Sequence, residues 1–142
     1  YMHKMTRKQV YDDLIENIES VSECCGVTPR LFRPPGGLYS ENLTQASADA
    51  DVSVILWSVD PRDWDEAASR HSLAAILQHA APGAVILMHD LSKRSVETAL
   101  AAIDALTMEG YAFCTVSELA QTAGVTLTPG GVYSSFPPPE GK

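Results

Sequence analysis

Apolar residues near the start of the chain recur every three or four positions, which is the spacing of one helix face. Thr6-Arg7-Lys8-Gln9 has the form of a capping box, and Gly26 suits the position just after a last helical turn. We therefore predict a helix from about residue 7 to residue 25. Its expected inward face consists of Val10, Leu14, Ile18, Val21 and Cys25.

The same spacing predicts further helices over 41–48, 70–81 and 96–109, and a short helix from Glu118 capped by Ser117. Ser40 suits the N-cap of the second helix, and Pro82-Gly83 ends the third. In the helix over 96–109, the residues expected to face the core are Leu100, Ile103 and Leu106.

Two nearly continuous apolar runs, 53–59 and 84–88, predict strands buried on both faces. Shorter strands are predicted over 30–32 and 111–116. Strand and helix thus alternate four times, which favours an α/β fold with parallel strands. Four strands are few for a barrel of eight, so the chain forms either a small open sheet or part of a barrel. Residues 125–142 are predicted to be an extended or disordered tail.

Charge and length narrow the possible partners. The chain has 142 residues, 45% of them hydrophobic, which is enough for one domain with a sizeable core. Lys and Arg number 10 and Asp and Glu 18, giving a net charge of −8. Nucleic acid and anionic membranes need a basic surface, so neither is expected as a partner. No apolar run approaches the roughly 18 residues of a membrane span.

Polar clusters follow the ends of three predicted strands. They are Arg33, then Asp60-Pro61-Arg62-Asp63-Trp64, then His89-Asp90. Because the carboxyl ends of parallel strands share one rim, where active sites form, these clusters predict a functional site. A single polar residue in such a place is more often a helix cap, but three clusters weaken that explanation.

The residue types suggest acid–base chemistry on a sugar. His89 is a candidate general acid or base because an imidazole titrates near neutrality. Arg33 stays charged and would pair with a carboxylate or another anion. Trp64 offers a flat apolar wall of the kind that sugar rings require. A serine hydrolase is disfavoured because no Gly-x-Ser-x-Gly elbow is present, and Gly36-Gly37 is too short to cradle a phosphate.

Together these motifs resemble the polysaccharide deacetylase family, the carbohydrate esterases that share the chitooligosaccharide deacetylase homology domain. FRPPGG at 32–37 resembles the R-x-P-Y-G motif, and DPRDW at 60–64 resembles D-x-x-D-W. LMHD at 87–90 resembles the L-x-H motif, and GYAFCTVSEL at 110–119 resembles the closing segment of the family. Each motif alone is weak, whereas four in the same order are specific.

The beginning of the chain resembles the second half of another family motif, H-[ST]-x-x-H. In YMHKMT, His3 would be its second histidine, and the first would lie four positions earlier, upstream of Tyr1. The T-F-D-D motif, with the base aspartate and a metal-binding aspartate, would also lie upstream. The resemblance therefore implies that residues 1–124 are the C-terminal portion of a distorted (β/α) barrel that lacks its N-terminal strands.

The resemblance implies a divalent metal, most often zinc, and assigns roles to three residues of the first half. His3 would be a metal ligand. Arg33 would orient the base aspartate, which is absent from this chain, through a charge-assisted pair. The backbone N–H of Gly36 would serve the oxyanion. Gly36 stands where the family usually has tyrosine, so a side-chain contact to the sugar is lost while the backbone donor remains.

Four residues of the second half also receive roles from the resemblance. His89 would be the general acid that protonates the leaving amine, and Asp63 would tune it. Trp64 and Leu87 would wall the pocket that holds the acetyl group.

The expected activity is metal-dependent hydrolysis of the N-acetyl groups of amino sugars, with an acetylated glycan of peptidoglycan as the substrate. Without the upstream part of the domain, this chain is expected to hydrolyse little. One alternative is a non-catalytic carbohydrate-binding or scaffolding remnant. Another is a small acidic signalling domain, which would carry an acidic pair where Arg33 stands. Wall-acting members of the family are exported, so an extracellular or cell-envelope location is expected.

Overall fold

The computed structural model describes residues 1–90 and 92–139, which divide into two compact units. The first unit is Tyr1–Leu56 with Thr126–Tyr133, and the second is Trp57–Val125 with the described part of Ser134–Lys142. None of the helices in the described ranges is long and apolar enough to cross a membrane. The helices are α1 (Arg7–Cys25), α2 (Glu41–Asp49), α3 (Ser72–His79), α4 (Lys93–Met108) and α5 (Val116–Thr122); the strands are β1 (Leu31–Phe32), β2 (Ser53–Ile55) and β3 (Val132–Tyr133).

Helix α1 begins and ends where its sequence predicts. The Thr6 hydroxyl accepts a hydrogen bond from the Gln9 N–H, and the Gln9 side chain accepts one from the Thr6 N–H, which completes the capping box. Gly26 has φ 69°, and its N–H donates to the Ser22 carbonyl at 2.8 Å. A residue with a Cβ is disfavoured at this φ, so glycine ends the helix.

Only the first half of α1 is buried. Val10 and Leu14 pack into the core of the first unit, whereas Val21 and Cys25 are exposed, so the inward face predicted for the helix is wrong at its C-terminal end. A periodic pattern gives the side of a helix but not how far along that side another element lies. The other buried members of this core are Leu43, Ala46, Ala50, Val52 and Val54.

The sheet of the first unit confirms the prediction of an α/β fold with parallel strands. Strand β2 lies between β1 and β3 and is parallel to both. Leu31 is paired with Ser53, and Val54 is paired with Val132. All three residues of β2 are buried, as expected for a central strand covered on both faces.

Strand β3 lies in the segment predicted to be an extended or disordered tail, and the structure differs from that prediction there. The reason is a close approach at Gly130, which has φ 74° and whose N–H donates to the Val52 carbonyl at 2.8 Å. A Cβ on Gly130 would lie 2.6 Å from the Thr44 carbonyl oxygen. Pro129 and Gly130 therefore belong to a tightly packed segment and not to a flexible linker. Residues 140–142 of the predicted tail lie outside the described residues.

The predicted strands 53–59 and 84–88 are shorter in the structure. β2 ends at Ile55, and further along the first run Val59 forms a parallel bridge with Ile86 in the second unit. The second run forms this bridge and an antiparallel one between Ala84 and Ser135. The first run is therefore a paired strand only over its first three residues. The rest of the first run and the whole second run pair at single positions only.

The strand predicted over 111–116 is wrong. Among the described residues no strand pairs with this segment, and Thr115 instead begins α5 as its N-cap. Its hydroxyl accepts from the Glu118 N–H, and the Glu118 carboxylate accepts from the Thr115 N–H at 2.8 Å. The predicted cap, Ser117, lies inside the helix. A strand needs a neighbour for its backbone groups, whereas a capping box is satisfied locally.

Helix α4 turns a different face to the second unit than its sequence predicts. Its buried residues are Ser95, Ala102 and Leu106, whereas Leu100 is 58% exposed and Ile103 is also exposed. The helix carries two apolar stripes, and the one with Ala102 and Leu106 packs with Ile76 of α3. Of the three residues predicted to face the core, only Leu106 does. The larger apolar side chains of the helix do not show which of its two stripes another element covers.

Candidate active site

Arg33 lies directly after β1, held by the end of the neighbouring strand. Its Nε donates to the Ile55 carbonyl and its Nη2 to the Leu56 carbonyl, each at 3.3 Å. Pro34, which follows, is buried in an extended conformation with φ −68°. The proline therefore fixes the backbone at the point where the guanidinium reaches across to β2.

Gly36 adopts a left-handed conformation in the turn after Arg33. Its φ is 67°, and a Cβ at this position would have nothing within 4 Å. Backbone conformation, rather than lack of space, is what favours glycine here. A tyrosine, which the family usually carries at this position, would be strained on this backbone.

His3 lies in a short turn before α1, and its Nδ1 is buried without a hydrogen-bond partner. The Tyr1 ring meets its imidazole edge-on, with 5.8 Å between ring centroids. An imidazole nitrogen left without a partner fits a metal ligand, which must be unprotonated. The described residues contain no group of three His, Cys, Asp or Glu side chains arranged to hold a metal.

Asp63 and His89 form a polar pair in the second unit, joined by two contacts. Asp63 Oδ1 lies 2.8 Å from His89 Nδ1, and Asp63 Oδ2 accepts the backbone N–H of His89 at 2.9 Å. The Asp63 side chain is 1% exposed and the His89 side chain 32%. Because a carboxylate accepts the Nδ1 proton, the imidazole is held with Nε2 free for a proton transfer.

Asp63 is kept in its charged form by these contacts. Burial raises the pKa of Asp63. Hydrogen bonds from the side chain and backbone of His89, and from Ser95, lower it by more than burial raises it, so the pKa lies below the ordinary range of an aspartate. The Ser95 hydroxyl also donates to the Asp63 carbonyl at 3.3 Å. Asp63 is therefore a fixed anion beside the His89 imidazole.

The loop that carries Asp63 is fixed by two hydrogen bonds to the residues just before it. The Asp60 carboxylate accepts the Arg62 N–H at 2.9 Å, and the hydroxyl of Ser72, which is fully buried, donates to the Pro61 carbonyl at 2.8 Å. This geometry turns Asp63 into the interior and leaves Trp64 at the surface, 56% exposed. Neighbouring residues of the motif thus face opposite environments.

A cavity of about 480 Å³ opens beside His89 in the second unit. Leu87 is buried and is not among the residues that line it, whereas Met88 is. Besides His89 and Met88, the lining residues are Asp90, Val96, Ala99 and Leu100. An imidazole at the edge of a mostly apolar depression can donate a proton to a ligand seated there.

Comparisons with known proteins agree with the motifs. The family model for polysaccharide deacetylases matches residues 1–55. PdaC of Bacillus subtilis, a peptidoglycan-N-acetylmuramic acid deacetylase, is 36% identical over 121 residues, which are 83% of this chain and 24% of the relative. This chain belongs to the polysaccharide deacetylase family. The chain therefore spans about a quarter of that relative.

Solved structures extend the similarity to the fold. A family 4 acetyl xylan esterase from Clostridium thermocellum, in complex with a cobalt ion, matches with a TM-score of 0.85 and 25% identity, over 96% of this chain and 67% of that one. BA3943 is a family 4 pseudoenzyme, and a mutant of it with restored enzymatic activity matches with a TM-score of 0.75 and 25% identity. The match covers 83% of this chain and 43% of that one. The prediction that this chain is a portion of a distorted (β/α) barrel is confirmed.

The structure brings together only some of the residues that the motifs predicted for the site. Asp63 and His89 are in direct contact, and Trp64 follows Asp63 in the chain. His3, Arg33 and Gly36 belong to the first unit. Ser72 and Ser95, which hold the Asp63 loop, were not predicted from the sequence. Their only sequence signal is a hydroxyl at a helix start, where a capping role is the usual explanation.

The stability of the second unit should depend on pH through Asp63. Its folded-state pKa is lowered, so its contribution to the free energy of unfolding is complete above the unfolded-state pKa of about 4 and is lost as the pH falls through the folded-state value. Urea unfolding at pH 7, 5, 4 and 3 measures this loss. Asp63→Asn should flatten the acid limb, and the exposed Asp104→Asn should not. Equal acid limbs in wild type and Asp63→Asn would contradict the prediction.

Proposed function

We propose that the protein containing this chain hydrolyses the N-acetyl groups of acetylated amino sugars in peptidoglycan. The observation that carries the proposal is the pair of Asp63 and His89, in which the imidazole Nδ1 lies 2.8 Å from an oxygen of a buried carboxylate. A histidine held in this way is suited to general acid catalysis, and the motifs around it are those of the polysaccharide deacetylase family.

In the proposed reaction, the base aspartate of the upstream segment takes a proton from water, and the water oxygen adds to the acetamide carbonyl carbon. The C–N bond then breaks, which yields acetate and an amine. His89, as imidazolium, donates its Nε2 proton to the departing nitrogen as that bond breaks. Asp63 stabilises the imidazolium through Nδ1 and holds the ring in orientation. General acid catalysis of this kind contributes roughly 10²–10⁴-fold to a rate.

The proposed roles of the other residues follow the motifs. Arg33 orients the base aspartate that lies upstream of this chain, as a guanidinium paired with a carboxylate. The Gly36 N–H donates to the oxyanion formed on the acetyl carbonyl, where one lost donor costs about 3–4 kcal/mol. Trp64 and Leu87 wall the acetyl group, Trp64 from the surface and Leu87 from the interior.

A divalent metal, with zinc as the first candidate, belongs to the proposal. When bound, it would polarise the acetyl carbonyl and lower the pKa of a bound water. His3 supplies one ligand through its imidazole, and the other ligands come from the N-terminal part of the same domain, upstream of Tyr1. Two facts support this: the unpartnered Nδ1 of His3, and the cobalt ion in the similar acetyl xylan esterase. Without that N-terminal part, this chain hydrolyses little.

Peptidoglycan is proposed as the substrate because PdaC, at 36% identity, is named for that activity. The corresponding location is extracellular or at the cell envelope, where that polymer lies. The alternative is a non-catalytic carbohydrate-binding or scaffolding protein of the same fold. It is favoured by the similarity to the family 4 pseudoenzyme BA3943, whose mutant regained activity.

Acetate release by the whole protein tests the proposal. Protein that includes the upstream segment, loaded with zinc, should release acetate from peptidoglycan and from N-acetylglucosamine oligomers, and a chelator should abolish the release until zinc is restored. Peptidoglycan should be the better substrate. Binding of the oligomers without acetate release, under every metal tested, would instead support the non-catalytic alternative.

A further inference from the structure

We propose that Arg62 is a positioning residue that orients the Trp64 indole for contact with an uncharged sugar ring of a long glycan. The inference rests on the proposed function, because it adds a residue to the same glycan-binding site. Arg62 occupies a variable position of the D-x-x-D-W motif, so the motif itself gives it no role.

The first observation is the contact between the two side chains. The guanidinium carbon of Arg62 lies 5.6 Å from the centroid of the Trp64 ring, within the range of a cation–π interaction. Trp64 is 56% exposed, and an exposed indole otherwise has considerable rotamer freedom. A cation on one face of the ring restricts this freedom and leaves the opposite face for a ligand.

The second observation is that the backbone of Arg62 is held in an uncommon conformation. Its φ is 53°, in the left-handed region that residues with a Cβ seldom occupy. The Asp60 carboxylate accepts the Arg62 N–H at 2.9 Å and so supports this conformation. The turn brings the Arg62 side chain back over its second neighbour, Trp64.

The third observation is that the Arg62 side chain is anchored at its far end. Its Nη2 donates to Asp65 Oδ2 at 2.6 Å. Asp65 is fixed in turn, because its Oδ1 accepts the N–H groups of Ala68 at 3.1 Å and Ala67 at 2.9 Å. The pKa of Asp65 is lowered, most of all by the hydrogen bond from Ala68 and then by that from Ala67 and by the charge of Arg62. Together these effects outweigh desolvation and keep the carboxylate charged. The Trp64 ring is therefore in contact with Arg62, which is held by Asp65, which is held in turn by two backbone N–H groups.

The charges around Arg62 indicate what kind of ligand the ring takes. The guanidinium is already paired with Asp65, and the Asp60 carboxylate is bonded to its backbone N–H. An acidic substituent of a glycan would meet these two carboxylates as well as the cation. A neutral sugar ring, which stacks on the free face of the indole, fits this surface better.

The effect should appear in substrate binding and not in the chemical step. An orientated ring loses less conformational entropy when it binds, so Arg62 lowers the cost of binding. Loss of the contact should raise KM for long glycans about fivefold, as expected for an exposed cation–π contact together with one immobilised side chain. The kcat should change less than twofold, because the Asp63–His89 pair is untouched.

The test compares Arg62→Gln, Arg62→Lys and Arg70→Gln in the whole zinc-loaded protein. Arg70→Gln makes the same change of charge at an exposed arginine of the same unit. We expect a raised KM for an N-acetylglucosamine tetramer in Arg62→Gln, partial recovery in Arg62→Lys, and wild-type values in Arg70→Gln. Acrylamide quenching of tryptophan fluorescence, without substrate, should increase only in Arg62→Gln.

A fall in kcat at constant KM in Arg62→Gln, or an unchanged KM, would overturn the proposal. Calorimetric titration with the same tetramer separates this result from a failure of the proposed function. If the wild type binds the tetramer but releases no acetate, the enzymatic proposal fails. The weaker binding expected for Arg62→Gln can then still be measured.

Discussion

His89→Ala should reduce acetate release by the zinc-loaded whole protein by about 10²–10⁴-fold, the range of a lost general acid. The imidazole is held by Asp63 at 2.8 Å with Nε2 free, and alanine leaves no group to protonate the departing amine. The mutant should bind metal and oligomer as the wild type does, because His89 is proposed to act on the leaving group. Steady-state kinetics with metal analysis measure both.

His79→Ala is the matched control, since it removes an exposed imidazole from α3 in the same unit. It should retain wild-type kcat. Asp63→Asn should lower kcat as well, because an amide does not stabilise the imidazolium. Full activity in His89→Ala would refute the general-acid role, and loss of metal together with activity would point to a ligand instead.

Gly83→Ala should strongly destabilise the second unit. Gly83 has φ 85°, and a Cβ there would overlap the Phe136 carbonyl group and lie 2.8 Å from the Pro137 nitrogen. These are backbone atoms, and the Phe136 N–H is itself bonded to the Gly83 carbonyl at 2.7 Å, so the segment cannot shift without losing that bond. We expect a loss of roughly 2–5 kcal/mol, from left-handed strain and overpacking together.

Gly110→Ala separates these two causes. Gly110 has φ 90°, but a Cβ there would meet nothing within 4 Å, so the substitution carries the strain without the overlap and should cost about 1–2 kcal/mol. Urea unfolding of both mutants gives the difference. Equal losses would mean that residues 134–139 do not pack against Gly83 in solution.

Local features of this fold could be read from the sequence because their interactions close within a few residues. The capping box of α1, the Ser40 cap of α2 and the glycine after Cys25 all lie where predicted. The long apolar runs were correctly assigned to extended, paired segments, because continuous hydrophobicity in a short run requires cover on both sides.

Features that depend on partners distant in the chain were predicted less well. The segment 111–116 has a strand-like sequence but no strand beside it among the described residues, and the predicted tail supplies β3. Leu100 and Ile103 have the right spacing for a core, yet the other stripe of α4 is the buried one. The spacing of apolar residues is a property of one helix or strand, whereas the burial of a side chain depends on which other element packs against it.

The candidate site shows the same division. The motifs named Asp63 and His89 as candidates, because the order and type of residues are properties of the sequence. Only the tertiary structure shows that one carboxylate binds both the ring and the backbone N–H of His89. The sequence by itself determined the family, the caps of α1 and α2 and the reactive residue types. The fold decided which face is buried, which strand is paired and which proton is free, because those depend on contacts between residues 20 or more positions apart.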